Sequence, residues 1–294
     1  MVQKKSSKIG YLYGILAAAF YGLNPLFALP LYHDGLDTWS VLLFRYLMSL
    51  PLLALIMIFQ GCDFSINRRE AKELCVLGFL MSASSIFLYL AYNHMDAGIA
   101  STVLFVYPIL TAILMTVVFK EKNNMLVWLC LLAATIGIGI LSKSDGVVYV
   151  TMLGVLLSIL SAVVYAFYLT FINKGSLGHM PSVKITFYVM CFGTLLIMMG
   201  VGYNGYVICP EGTGWLCSFG SALFPTSLSL IFTALAIQRI GSTQTAILGA
   251  FEPVTAVAIG TLVFGEQLSG NSIVGIMMIL IAVTVVVMQG KIKH

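Results

Sequence analysis

Phe251-Glu252-Pro253-Val254-Thr255-Ala256-Val257-Ala258-Ile259-Gly260-Thr261-Leu262-Val263-Phe264-Gly265-Glu266 is an apolar helix-length run with a carboxylate and a proline at its head and a second carboxylate just past its end. Displaced by 145 residues, Tyr107-Pro108 through Val118-Phe119-Lys120-Glu121 carries the same punctuation, x-Pro followed by Val-Phe-x-Glu. No gap is needed, and the same offset pairs Leu90-Ala91 with Leu235-Ala236 and Thr116 with Thr261. At an offset of 144, Gly10, Ala18 and Tyr21 meet Gly154, Ala162 and Tyr165. Self-similarity at a fixed period marks a duplicated unit, here residues 1–145 and 146–294.

Around this repeat, the chain of 294 residues is 60% hydrophobic and 9% charged, with a mean hydropathy of +1.01. A soluble domain carries roughly 25% charge, so a soluble globule is excluded. A helix crossing the hydrocarbon core needs about 20 apolar residues. Runs of that length exclude the ~10-residue alternating segments of an outer-membrane barrel. Ten spans are predicted, near 9–31, 37–59, 73–93, 97–119, 124–142, 149–173, 183–204, 213–236, 242–264 and 270–289. The short connections leave no room for an extramembrane enzyme domain. Five spans per unit is odd, so the second unit enters the membrane from the opposite side. The expected fold class is therefore all-α integral membrane, ten transmembrane helices in two inverted five-helix repeats, an architecture that recurs in transporters because equivalent halves can exchange conformations around a central site.

Charge sets the orientation. One side collects Lys4, Lys5, Lys8, Arg68, Arg69, Lys72, Lys120, Lys122, Lys174, Lys184, Arg239, Lys291 and Lys293, and the other only Lys143. Positive residues stay cytoplasmic, which places both termini inside, and the net charge of +4 reflects topology rather than a nucleic-acid partner. The first apolar run ends in Leu29-Pro30-Leu31 without a small-x-small cleavage site and reads as a retained span. Cys62, Cys75, Cys130 and Cys191 are scattered without metal spacing. Cys209 and Cys217 flank a loop containing Pro210, Gly212 and Gly214; the turn allows a bridge at an oxidising face, whereas a helical Cys217 opposes one.

Polar residues inside apolar spans mark faces turned toward protein or water. Helical spacing aligns Ser158, Ser161, Tyr165 and Tyr168 on span six, Tyr21 and Asn24 on span one, and Ser82, Ser85, Tyr89 and Tyr92 on span three. Cavity lining is expected of Tyr21, Asn24 and Tyr165, and small-residue packing of the serines. Ala133 and Gly137 form a packing face on span five. Only Arg45 and Glu252 are ionisable well within the hydrocarbon. A charge there costs at least ~2.5 kcal/mol unless paired or hydrated. Three roles stay open: an Arg45–Glu252 pair, an Arg45 that reaches outward toward Asp37, and a Glu252 that binds a substrate ammonium or couples protons. Gln244, Leu248, Glu252 and Thr255 share one face, and Pro108 and Pro253 are expected to kink their spans as hinges.

The stretch Leu248 to Ser269 resembles the ninth-span signature of the EamA family in the drug/metabolite transporter superfamily, and Tyr107-Pro-Ile-Leu-Thr through Phe119-Lys-Glu121 resembles its first-half copy. Tyr21-Gly-Leu-Asn24 and Phe44-Arg45-Tyr46 are similar to the family's aromatic-Gly-x-Asn and span-two arginine positions, although tryptophan is more usual than tyrosine in span one. The resemblance implies a central cavity lined by both halves, inward termini, and the fifth and tenth helices at the back. It also implies export of amino acids and related metabolites across a bacterial inner membrane, with nucleotide-sugar or sugar-phosphate carriers as more distant relatives.

No G-x-x-x-x-G-K-[ST], H-E-x-x-H or C-x-x-C motif occurs, so neither nucleotide nor metal hydrolysis is supported. The leading expectation is a secondary transporter, an exporter of small metabolites such as amino acids, without cofactor or metal and not an enzyme. Its partners are the lipid bilayer and a small-molecule substrate; the driving force is a gradient either of substrate or of protons, and proton coupling and facilitated diffusion both remain open, as do monomer and homodimer. The alternatives are an anionic-sugar carrier, for which Arg45 is the lone intramembrane cation, a lipid-modifying membrane enzyme and a nontransporting subunit. The residues placed on the substrate or coupling path are Tyr21, Asn24, Arg45, Ser85, Tyr89, Tyr107, Tyr165, Tyr168, Gln244 and Glu252.

Overall fold

A computed structural model describes residues 7–119, 129, 132–133, 136–137, 140, 149–174, 177, 180–249 and 251–290. The predicted fifth span, 124–142, therefore lies largely outside the described residues. In chain order the described helices are α1 (Ser7–Gly22), α2 (Asn24–His33), α3 (Thr38–Phe59), α4 (Arg68–Tyr92), α5 (Ala97–Leu104), α6 (Tyr107–Phe119), α7 (Met152–Lys174), α8 (Ser182–Asn204) and α9 (Gly214–Ser221). A π-helical turn, Ala222–Leu228, then leads into α10 (Ser229–Leu248), α11 (Phe251–Phe264) and α12 (Gly270–Gly290). Among the described residues, six helical stretches are long and apolar enough to cross a bilayer, and Ala97–Thr111, Phe251–Phe264 and Ile273–Ala282 are shorter apolar helices. Among the described residues, Met95 and Val150 form an isolated antiparallel bridge.

Helix starts follow local chemistry. Asp37 accepts from the backbone N–H groups of Trp39 and Ser40 to cap α3, and Asn67 with Glu70 forms a reciprocal capping box on α4, each satisfying donors that the first turn leaves open. Three described helices carry a polar residue followed by proline in their first turn: Asn24-Pro25 opens α2, Tyr107-Pro108 opens α6, and Glu252-Pro253 follows Phe251 at the start of α11. Proline fits the first turn because its missing N–H has no helical acceptor there. The kinks expected at Pro108 and Pro253 are thus full interruptions placed just before them. By contrast, α10 continues through the connection expected near 237–241. Gly241 is the lone breaker there, and a single glycine costs only about 1 kcal/mol in a helix.

Packing exchanges helices between the two halves of the chain. α1 lies along α10, α7 along α4, α3 along α8, and α11 along α5. Glycines permit the closest approaches: a Cβ on Gly78 would stand 2.9 Å from the Val189 carbonyl, and one on Gly22 2.6 Å from the Glu252 carbonyl. Gly137 similarly faces α12, 3.0 Å from the Gly275 carbonyl, the packing use expected of it. Cys209 and Cys217 are both free thiols; Cys217 lies within α9, so the bridge that the loop allows is not formed.

Candidate functional site

Two polar centres occupy the interior. The first is built on Arg45, 1% exposed. Its Nη1 donates to Asn24 Oδ1 at 2.9 Å and to the Tyr89 hydroxyl at 2.6 Å, and its Nε donates to Thr226 Oγ1 at 2.6 Å. The Tyr89 hydroxyl also donates to Asn24 Oδ1 at 3.1 Å, and the guanidinium carbon lies 5.1 Å from the Tyr89 ring centroid. Helices α2, α3, α4 and the π-helical turn each supply one member. The turn matters because Pro225 interrupts the helical ladder there, and π-bulges are frequent at functional positions. Thr226 in turn donates to the Ser221 carbonyl at 2.8 Å.

Neither structural role expected of Arg45 is realised. It makes no ion pair with Glu252; among the described residues the one salt bridge joins Arg69 and Glu73. Nor does it reach outward, because the Asp37 carboxylate takes the α3 N-terminus and Asn204 Nδ2 instead. Neutral oxygens solvate the guanidinium at lower desolvation cost than burying a carboxylate beside it.

The second centre surrounds Glu252, 3% exposed. Gly14, Ala17, Ala18 and Tyr21 of α1, Tyr107 of α6, Tyr165 and Leu169 of α7, and Ser229, Thr233, Ile237 and Thr245 of α10 line, with Gly249 and Glu252, a cavity of about 30 Å³. That is room for about two waters. Tyr165 meets Tyr107 edge-on at 4.8 Å between centroids and stacks on Tyr21 at 6.2 Å and on Tyr168 at 5.7 Å. Glu252 Oε1 has no hydrogen-bond partner, and Arg45 Nη2 and Asn24 Nδ2 are likewise buried without one. Unpaired buried polar atoms are rare in folded proteins and call for a functional explanation.

Of the residues singled out by sequence, Tyr21, Tyr107, Tyr165 and Glu252 meet at the cavity, with Tyr168 stacked behind them. Asn24, Arg45 and Tyr89 form the neighbouring network. Ser85 belongs to neither; it donates to the Met81 carbonyl and accepts from Tyr46. The side chain of Gln244 lies outside the described residues. Thr226, Ser229 and Thr233 were not anticipated. Ser229 donates to the Ala17 carbonyl at 2.9 Å, and its repeat-equivalent Ser84 donates to the Ser161 carbonyl at 3.1 Å; Ser161 is the 144-offset partner of Ala17.

A third feature joins the two halves near one end of α5. Glu266 Oε1 accepts from Ala97 N at 3.0 Å and Oε2 from Gly98 N at 3.2 Å. Burial, with Asp96 nearby, raises the Glu266 carboxyl above the usual glutamate range, and burial raises Asp96 as well.

Comparison with known proteins agrees with this architecture. A crystal structure superposes with a TM-score of 0.73 over 98% of this chain and 100% of its own length at 13% identity, which shows a shared fold. An uncharacterized transporter of Synechocystis sp. is 29% identical over 92% of this chain and 91% of its own length. One from Archaeoglobus fulgidus is 25% identical over 92% and 93%. The description "EamA-like transporter family" matches residues 8–143 and again 152–288. With a multi-pass helical architecture and matches covering both halves, the chain is a membrane protein that belongs to the EamA-like transporter family.

Proposed function

We propose that the chain is a secondary transporter that exports small amphipathic metabolites of amino-acid size across a bacterial cytoplasmic membrane by alternating access, and that it is not an enzyme. The observation that carries this reading is Glu252, a buried carboxylate with an open oxygen on a cavity walled by helices from both halves. A charge at that depth costs at least ~2.5 kcal/mol, and among the described residues Glu252 Oε1 has no hydrogen-bond partner to offset it. Such a group is retained for a ligand or a proton.

The accompanying topology is ten spans in two inverted repeats, 1–145 and 146–294, with both termini cytoplasmic. Three observations support the repeat. The family description matches twice. Helices restart at matching positions in the two halves, α6 at Tyr107 and α11 at Phe251, within one residue of the 145-residue offset. The Ser229–Ala17 and Ser84–Ser161 hydrogen bonds are equivalent under the repeat. The interruptions suit a site, because broken spans expose backbone groups to a ligand. A carrier of sugar phosphates would want cations on its cavity wall, and the lining residues include none.

Counterflow in proteoliposomes tests the reading. Vesicles holding the purified protein and loaded with unlabelled metabolites should accumulate the matching labelled compound, and Glu252→Gln protein that folds normally should not. Normal counterflow by that variant at all pH values would refute the role given to Glu252. Absence of counterflow for every amino acid and amine offered to the wild type would refute the transporter assignment.

A further inference from the structure

Which amphipathic metabolite is recognised depends on what the cavity wall can solvate. Its charged chemistry is a single carboxylate. Three tyrosine rings stand around it, Ser229, Thr233 and Thr245 add hydroxyls, and the remaining lining is glycine or aliphatic. Among the described residues, no Lys, Arg or His contributes. Arg45 is absent from the wall, and three of its N–H groups are already engaged by Asn24, Tyr89 and Thr226. A carboxylate or phosphate entering here would meet Glu252 and the negative faces of aromatic rings. A cation would meet an unpaired oxygen among three tyrosines that line the same cavity.

We propose that the Glu252 cavity is a recognition site for an organic ammonium group, and that the substrate is an amine cation rather than a zwitterion. This rests on the transporter reading above and narrows its substrate. The arrangement has the parts of an aromatic cage. The Tyr107 and Tyr165 rings are mutually perpendicular at 4.8 Å, Tyr21 and Tyr165 are stacked at 6.2 Å, and all three line the cavity together with Glu252. Cation–π attraction is strongest when the cation is desolvated, as it would be beside Glu252. An inorganic ion is less well served, because hard cations take six or more oxygens and use ring faces poorly. Space of about 30 Å³ admits a head group, and the body of the ligand requires the walls to part, the movement that alternating access itself demands.

Matched ligands separate the alternatives without disturbing the fold. Tyramine, tyrosine and 4-propylphenol share a phenolic body and present an ammonium, a zwitterion and a methyl group, respectively. Calorimetric titration of purified full-length protein should show tyramine binding at least about tenfold tighter than either of the others, the scale of one desolvated cation–π and ion-pair contact. Sodium chloride should compete with tyramine less than choline chloride does at the same concentration and hence equal ionic strength, because choline presents an organic ammonium. Tyr165→Leu should weaken tyramine more than Tyr165→Phe, because the latter keeps the ring face. Equal binding of tyrosine, or of 4-propylphenol, would overturn the proposal, as would equal effects of the two Tyr165 variants.

Counterflow distinguishes this inference from the reading beneath it. Flux of labelled tyrosine without flux of tyramine leaves a transporter and overturns the cation site. Tyramine binding with no flux of any compound supports the site and overturns transport. Neither binding nor flux overturns both.

Discussion

Replacing Thr226 by valine removes one hydroxyl from the Arg45 network while keeping the shape of the side chain. The Arg45 Nε then faces a methyl group where it had an acceptor at 2.6 Å. Hydrogen bonds to charged groups contribute about 1.5–3 kcal/mol, whereas side-chain bonds measured inside membrane proteins average about 0.6 and reach about 1.7 kcal/mol. The upper part of these ranges applies, because Arg45 is 1% exposed and its Nη2 already lacks a partner, so no spare acceptor stands by. A loss of about 2 kcal/mol is expected, roughly a 30-fold fall in the folded-to-unfolded ratio. Reversible unfolding of the full chain in mixed micelles with increasing dodecyl sulfate, followed by tryptophan fluorescence, measures it; Trp215 packs edge-on against Phe44, one residue from Arg45. In an Arg45→Met background the same substitution should cost less than about 0.5 kcal/mol, since the charged donor is gone. An equal cost in both backgrounds would refute the reasoning and assign the effect to the Thr226–Ser221 bond inside the π-helical turn.

Four further outcomes are expected. The raised carboxyls of Glu266 and Asp96 hold protons more tightly in the native state than in the unfolded chain, so thermal stability should fall as pH rises above 4.5 toward neutrality; Glu266→Gln with Asp96→Asn should flatten that slope, and a profile that instead rises with pH would contradict it. At neutral pH, Glu266→Ala should cost about 1 kcal/mol by leaving the Ala97 and Gly98 N–H groups uncapped, read by the same unfolding assay; no loss would count against the cap. In a protein whose other five cysteines are replaced, exposed Cys209 should react with membrane-impermeant maleimide in intact cells while a cysteine placed at Arg69 does not, and the reverse pattern would invert the proposed topology. Gly22→Ala should cost about 1–3 kcal/mol, because its Cβ would press the Glu252 carbonyl and Thr255 at 2.6 Å; an unchanged unfolding midpoint would show that α1 and α11 separate freely.

What the sequence reveals here depends on whether the interaction is periodic or singular. The grouping of Tyr21, Tyr107, Tyr165 and Glu252 was legible because the 144- and 145-residue offsets pair Tyr21 with Tyr165 and Tyr107 with Glu252, and the helix starts at Tyr107-Pro108 and Glu252-Pro253 were signalled by proline. The partners of Arg45 were not. With only two intramembrane charges, a pair was the natural expectation, but one helix's rotation relative to another is invisible in a single sequence, and Asn24 and Tyr89 reach the guanidinium first. Thr226 escaped notice because a π-helical turn shifts the register that face arguments assume. The role of Glu266 escaped for another reason: the Val-Phe-x-Glu punctuation was plain, yet the N–H groups it caps lie 169 and 168 residues away in sequence.

The exchange of helices between halves bears on how the protein is made. The face of α1 carrying Gly14, Ala17 and Ala18 packs on α10, and more than 200 residues separate the two in the chain. At a synthesis rate of about 5–20 residues per second, α1 waits on the order of 10–40 seconds in the bilayer before its partner leaves the ribosome. Through that interval its small-residue face can be occupied by lipid, by the insertion machinery or by another nascent helix. The order of emergence thus makes biogenesis of this chain a post-insertion assembly, in which the last helices complete contacts begun by the first.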